Sequence, residues 1–215
     1  MKIISVKPLA IPDCKVVRYQ RYRDHRGYFA EHFREEDFKR LFQEELGFPF
    51  PGFFQANESR SRKGVIRGLH FQWNPVMGKL VRTVYGRMVD IMLDVRPGSP
   101  TLGKAILYDM PFDPEGDFGE WIWIPPGFAH GNFYPAEASI EYFCTASYNP
   151  QGESGISPLA ADIDFSLAEG SPLKAEFDRL VLGGAVLSEK DRTAESLENW
   201  LAREESGVFK TGRSS

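Results

Sequence analysis

His70 and Lys79 frame a segment whose residue types invite acid–base work. His70 lies in Lys63-Gly-Val-Ile-Arg-Gly-Leu-His70, and an imidazole with a free pKa of about 6.5 readily accepts a proton at neutral pH. Arg67 lies three positions earlier, an offset that sends the two side chains to opposite faces of a regular strand. Gly68 between them could host a bulge that realigns them. Lys79 stands at the head of the strongest apolar run, where a cation faces either ligand or solvent. Tyr142 and Tyr148 carry phenols that by type alone pack in a core and gain chemical meaning only opposite a base. Asp191 follows Ser188 by three positions, the spacing of a helix cap, so capping and a chemical role compete for one carboxylate.

His130 follows the turn Pro125-Pro126-Gly127 and adds a second imidazole. Barrel proteins that hold a metal often use His-x-His, a carboxylate and a later His. Here Gln72 stands where the second His belongs and no Glu follows at a matching offset, so the expectation is no metal. The segment Phe54 to Arg62 is extended in character yet polar on both faces. Gln55 and Asn57 share one face by period two, which suits either a wet cavity or a solvated edge strand.

Positioning such groups requires a scaffold of strands. An aromatic content of 13% with 20 Gly and 15 Pro suits short strands and tight turns better than a helical bundle. Leu80 to Val95 alternates, with Val89, Ile91, Leu93 and Val95 on one face and Met88, Asp90, Met92 and Asp94 on the other, and Gly86-Arg87 is expected to break it into two strands. Lys104–Met110, Glu120–Ile124 and Ser139–Tyr148 read as further strands, giving an all-β region from roughly 50 to 150. Helix signals flank it: Glu35–Leu46 with Gly47 as a stop, a segment opened by Ser171-Pro172 and closed by Gly183-Gly184, and about 188–205 with Leu197, Trp200 and Leu201 as its stripe. The last ten residues read as frayed. A barrel or jelly roll resolves the edges of so many strands and leaves an interior for a ligand.

With 215 residues, 42% hydrophobic and 26% charged, the chain is long enough for one real core, and one domain over 1–215 is expected. A net charge of −4 argues against a nucleic-acid surface. No apolar stretch approaches the roughly twenty residues of a membrane span. Pro8 and Pro12 interrupt any secretory leader, and Cys14 and Cys144 form no disulfide framework, so reduced thiols and a cytoplasmic location are expected.

Seven blocks in order carry a resemblance: Asp24-x-Arg26-Gly27-x-Phe29-x-Glu31-x-Phe33, Gln55-x-Asn57-x-Ser59, Lys63 to Gln72, Gly78-Lys79-Leu80-Val81-Arg82, Asp94-Val95-Arg96 with Ser99-Pro100-Thr101, Trp123 to Gly131, and Leu187-Ser188-x-Lys190-Asp191. Together the chain resembles the dTDP-4-dehydrorhamnose 3,5-epimerase family. The resemblance implies a cupin jelly roll without metal or cofactor, and a homodimer that exchanges an N-terminal strand. It also implies a nucleoside diphosphate 4-keto-6-deoxyhexose as substrate, with dTDP-4-dehydro-6-deoxy-D-glucose giving dTDP-4-dehydro-L-rhamnose as the leading case. His70 then corresponds to the general base, Asp191 to its orienting carboxylate, Tyr142 to the opposing acid and Lys79 to the cation beside the carbonyl. Arg26, Glu31, Gln55, Asn57, Arg67, His130, Tyr148, Glu153 and Lys190 correspond to substrate-binding positions.

The chain departs from the family pattern at Gly155-Ile156-Ser157-Pro158-Leu159, at Phe143 where Lys is frequent, and at 166–186, which reads as inserted. Inversion at a single carbon, a catalytically silent sugar-nucleotide binding module and a metal-dependent cupin are the competing readings.

Overall fold

The computed structural model describes residues 1–211. Two sheets share one strand. β7 (Lys79–Asp94) pairs through its first half with β9 (Phe118–Ile124) and β11 (Ala138–Cys144), and through its second half with β8 (Ala105–Pro111) and β10 (Phe128–Phe133). Beyond β9 lie β2 (Lys15–Gln20) and β1 (Ile3–Pro8), and beyond β11 lies β5 (Gln55–Ser61). On the other side β10 carries β6 (Ile66–Gln72) and then β12 (Glu153–Gly155). A separate hairpin joins β3 (Tyr22–Asp24) to β4 (Gly27–Phe29). This is a jelly-roll barrel, as the strand pattern predicts.

Alternation along each strand divides three apolar clusters. Val89, Ile91 and Leu93 of β7 face outward, under α2 (Pro172–Leu182) and α4 (Leu197–Leu201), while α3 (Glu189–Arg192) lies against β6. Met88 and Met92 face the barrel interior with Val81, Ile122 and Ile140. Leu80, Trp121 and Trp123 pack beneath α1 (Glu35–Leu41), whose Phe38 and Leu41 are buried. A strand covered on both faces explains why 11 of the 16 residues of β7 are buried, Arg82, Thr83, Asp90 and Asp94 among them.

The expected break at Gly86-Arg87 is not a break. The strand runs on, and Gly86 marks the change of partner from β11 to β8 and β10. At Gly86 φ is +74°, and an added Cβ would lie 1.8 Å from the carbonyl oxygen of Glu137, so only glycine fits this crossing. The strand expected from Ser139 to Tyr148 ends at Cys144. The helix expected over 188–205 is three short pieces, because Ser188 and Ser196 each cap a new start and Glu195 between them bridges to Ile156. The helix over Glu35–Leu46 finishes in a π-turn at Phe42–Leu46, and Gly47 at φ +84° stops it. The expected frayed end is ordered through 209, where Phe209 packs on Trp200 and Phe71; residues 212–215 lie outside the described residues. The segment 166–186 holds a 3-10 turn at Ser166–Ala168 and then α2, whose Phe177 covers Phe133.

The bulge anticipated at Gly68 is present. Four residues of β6, from Arg67 to His70, lie opposite three of β10, from Asn132 to His130. Arg67 and His70 therefore both point inward while Ile66, Leu69 and Phe71 face the outer core. Gly68 (φ +107°) sits against Gly131, whose Cα would lie 2.5 Å from any Cβ placed at 68. Gly68→Ala is expected to lower the unfolding free energy by about 2 kcal/mol. A denaturant titration with an unchanged midpoint would contradict this close approach.

Candidate active site

Inward-facing polar residues gather at one place in an otherwise apolar interior. A cavity of about 150 Å³ is lined by Arg67 and His70 of β6, Lys79 of β7, His130 and Asn132 of β10, Tyr142 of β11, Ser59 of β5, and Asp191 of α3. His70 and His130 are direct partners in the β6–β10 register. A larger cleft of about 390 Å³ near Arg18, Tyr108 and Phe118 offers no comparable base, since its Arg18 and Glu120 are paired with each other at 2.7 Å.

His70 Nε2 lies 2.6 Å from Asp191 Oδ1. The competition between capping and chemistry at Asp191 is settled by separate atoms. Its backbone N–H donates to Ser188 Oγ at 3.1 Å, so the serine caps α3 through the main chain and the carboxylate is free to face His70. Burial pushes the Asp191 carboxyl up, but hydrogen bonds from His70, Ser188 and the Gly68 backbone outweigh it and hold the pKa below the ordinary value. An ionised carboxylate can only accept, so Nε2 carries the proton and Nδ1 presents its lone pair.

Burial lowers the Lys79 pKa, and Nζ donates to the His70 carbonyl at 3.3 Å. Burial raises the Tyr142 phenol, aided by neighbouring Cys144, which keeps it protonated as an acid must be. Arg67 is anchored by Ser61 Oγ at 2.7 Å and the Arg60 carbonyl at 3.3 Å rather than by a carboxylate, so its charge remains available to an anion.

The remaining expected binding residues fall into three groups. Tyr148, Glu153 and Lys190 form one cluster, with Glu153 accepting from Lys190 Nζ at 2.6 Å and from the Tyr148 hydroxyl at 3.1 Å. Glu153 is the cross-strand partner of Gln72, two residues beyond His70. Gln55 and Asn57 bond each other at 3.0 Å, and Gln55 Oε1 accepts from the Tyr148 backbone at 2.8 Å, which ties that face of β5 to the cluster. Arg26 and Glu31 are not brought to the cavity within this chain. Arg26 is exposed on the β3–β4 hairpin, bonded to Asp24, and Glu31 is held by Arg34 and the Met1 amino group.

Sequence reasoning missed Asp90 as a site residue. Its carboxylate is fully buried, with Oδ1 2.6 Å from His130 Nε2. The available signal was an acid on the inward face of an apolar strand. Gln72, where a metal-binding His was sought, instead holds the Ser147 carbonyl at 3.1 Å and the Asn149 N–H at 2.8 Å. No group of three or more His, Cys, Asp or Glu able to hold a metal occurs among the described residues.

A jelly roll with a carboxylate-paired imidazole, a half-buried lysine and a phenol around one interior cavity defines a cupin whose site holds groups able to exchange protons. A sequence model of the dTDP-4-dehydrorhamnose 3,5-epimerase family matches residues 8–199, and the chain belongs to that family. The dTDP-4-dehydrorhamnose 3,5-epimerase of Methanothermobacter thermautotrophicus is 36% identical over 195 residues, covering 90% of this chain and 91% of the relative. That of Neisseria gonorrhoeae is 41% identical over 145 residues, 67% of this chain, but the match spans only 41% of the relative's length. A crystal structure of the Legionella pneumophila dTDP-6-deoxy-D-glucose-3,5-epimerase in complex with dTDP-4-keto-L-rhamnose matches with a TM-score of 0.76 and 32% identity, covering 98% of this chain and 99% of that one.

A lysine whose pKa is depressed by burial charges less easily in the fold than in the open chain. The penalty is full below the folded pKa and is relieved as pH rises toward 10.5. Lys79→Met should therefore gain about 1 kcal/mol at neutral pH, about 2–4 °C in Tm, and lose the alkaline rise in stability. A variant less stable than the parent at pH 7 would show that Lys79 supports the fold rather than burdening it.

Proposed function

We propose that the chain is an epimerase that inverts C3 and C5 of a dTDP-linked 4-keto-6-deoxyhexose, converting dTDP-4-dehydro-6-deoxy-D-glucose to dTDP-4-dehydro-L-rhamnose. The observation that carries this reading is the His70–Asp191 pair at 2.6 Å in a cavity also lined by Lys79 and Tyr142. A 4-keto group acidifies the hydrogens on the carbons to either side. His70 Nδ1 removes one, the electron pair enters an enolate, and Asp191 stabilises the imidazolium that forms. Lys79 offsets the charge on the enolate oxygen, where loss of one donor commonly costs about 3–4 kcal/mol in the barrier. Tyr142, on the opposite sheet from His70, returns a proton to the other face and so inverts the centre. Proton transfer leaves the oxidation state unchanged, so the reading calls for no redox cofactor.

Arg67 compensates the diphosphate, and Tyr148, Glu153, Lys190, Gln55 and Asn57 receive the nucleotide end of the substrate beside the cavity. Arg26 and Glu31 lie outside this cavity within one chain. In this reading they serve the cavity of a second copy in a homodimer, which the exposure of Arg26 on its hairpin supports. A nucleotide sugar is a cytoplasmic metabolite, which puts the enzyme in that compartment.

The test is turnover of dTDP-4-dehydro-6-deoxy-D-glucose in D2O, read by proton NMR. Deuterium is expected at both C3 and C5, and His70→Asn should slow exchange by about 10²–10⁴-fold at the carbon it serves. No exchange at either carbon with this substrate would overturn the reading.

A further inference from the structure

Part of the cavity wall is an amide that the proton transfers do not use. Asn132 of β10 lines the cavity and is only 3% exposed. It lies two residues beyond His130, on the same face of the strand, and its register partners are Arg67 on β6 and Asp90 on β7. Two residues further on, Tyr134 is fully buried in the apolar cluster of Met88, Met92 and Ile140, behind the cavity rather than on its wall. The backbone of Tyr134 is held on both sides, its N–H donating to the Val65 carbonyl at 3.0 Å and its carbonyl accepting from the Gly64 N–H at 2.9 Å.

These neighbours fix which way the amide faces. A carboxylate can only accept, so the Asn132 atom 3.5 Å from Asp90 Oδ1 is the amide nitrogen. The amide oxygen then faces the Tyr134 hydroxyl at 2.8 Å and accepts its proton. Burial pushes the Tyr134 phenol up to about 12, against a hydrogen bond from Ser61 and the charge of Arg67, so it remains a donor across the neutral range. With its oxygen occupied and one N–H turned toward Asp90, Asn132 has its second N–H left for the cavity.

A donor held from two sides suits an oxygen that stays in place during the reaction. Inversion at C3 or C5 swings the substituents of those carbons across the ring, and the oxygen on C4 carries the enolate charge. The hydroxyl on C2 keeps its configuration throughout. We infer that Asn132 is a specificity-determining residue that donates its second N–H to the C2 hydroxyl of the hexose, and that Tyr134 is the positioning residue that holds the amide in that orientation. The inference rests on the epimerase reading above and deepens it. Selection works by subtraction, because a sugar without that hydroxyl leaves a buried N–H unpaired.

The probe is dTDP-6-deoxy-D-glucose, which has no ketone and does not react, compared with its 2-deoxy counterpart by titration calorimetry. The parent is expected to bind the 2-hydroxy sugar about 5–10-fold more tightly, the worth of one hydrogen bond, and Asn132→Ala should bring the two within about twofold. Tyr134→Phe removes a hydroxyl that no ligand touches; it should reduce the preference when Asn132 is present and change nothing further once Asn132 is alanine. On the 4-keto sugars the loss should fall on KM more than on kcat, as binding shared by ground and transition states requires. The proposal is overturned if the parent binds both sugars equally, if Asn132→Ala weakens both by the same factor, or if Tyr134→Phe acts as strongly in the Asn132→Ala background. A parent that prefers the C2 hydroxyl yet turns over neither 4-keto sugar overturns the epimerase reading and leaves the contact standing, and one that binds neither probe overturns both.

Discussion

The close approach of Gly68 and Gly131 governs the chemistry of this molecule. Any side chain at either position would collide with the facing strand, and without that contact the extra residue of β6 has nowhere to go. Because the bulge fits, Arg67 and His70 share the interior face, and His70 stands level with His130. The same bulge turns the Gly68 amide toward Asp191, so one irregularity sets both the direction of the imidazole and the charge of its carboxylate. A regular strand would have sent Arg67 or His70 into the outer core among Ile66, Leu69 and Phe71.

Around that point the barrel separates two tasks. Half of its interior is filled by Met88, Met92, Ile122, Ile140 and their neighbours, which exclude water and hold the sheets apart at a fixed spacing. The other half carries charge. Lys79 is held there against its own desolvation, Asp191 is kept ionised by three donors, and Tyr142 is kept protonated by burial. The shifts at Asp191 and Tyr142 are in the direction that acid–base work requires, and all three arise chiefly from burial and direct hydrogen bonds rather than from long-range charge.

Much of this was legible in the sequence. Period-two alternation predicted a barrel, and the offset of Arg67 from His70 with a glycine between them predicted the bulge. The spacing of Ser188 and Asp191 predicted the cap. What the pattern could not supply was partnership in space. Asp90 reads as one more alternate residue of an apolar strand, and its role depends on β10 lying beside β7 in a particular register. Gly86 reads as a strand end because glycine breaks strands more often than it lets one strand cross between sheets. The 188–205 stripe reads as one helix because the two serines that restart it are also ordinary helix-surface residues. Arg26 and Glu31 were placed in the site by motif alone, and within one chain their side chains are engaged elsewhere.

The shared strand β7 has a further consequence for how the molecule breathes. With its two halves hydrogen-bonded into different sheets, neither sheet can peel away without dragging on the backbone of the other, so partial unzipping is coupled across the whole barrel. Traffic in and out of the interior must then be handled by the loops and short helices around the mouth, where α3 carries both Lys190 and Asp191. In the proposed mechanism a four-residue helix capped by one serine therefore both borders the cavity and holds the carboxylate that orients the base.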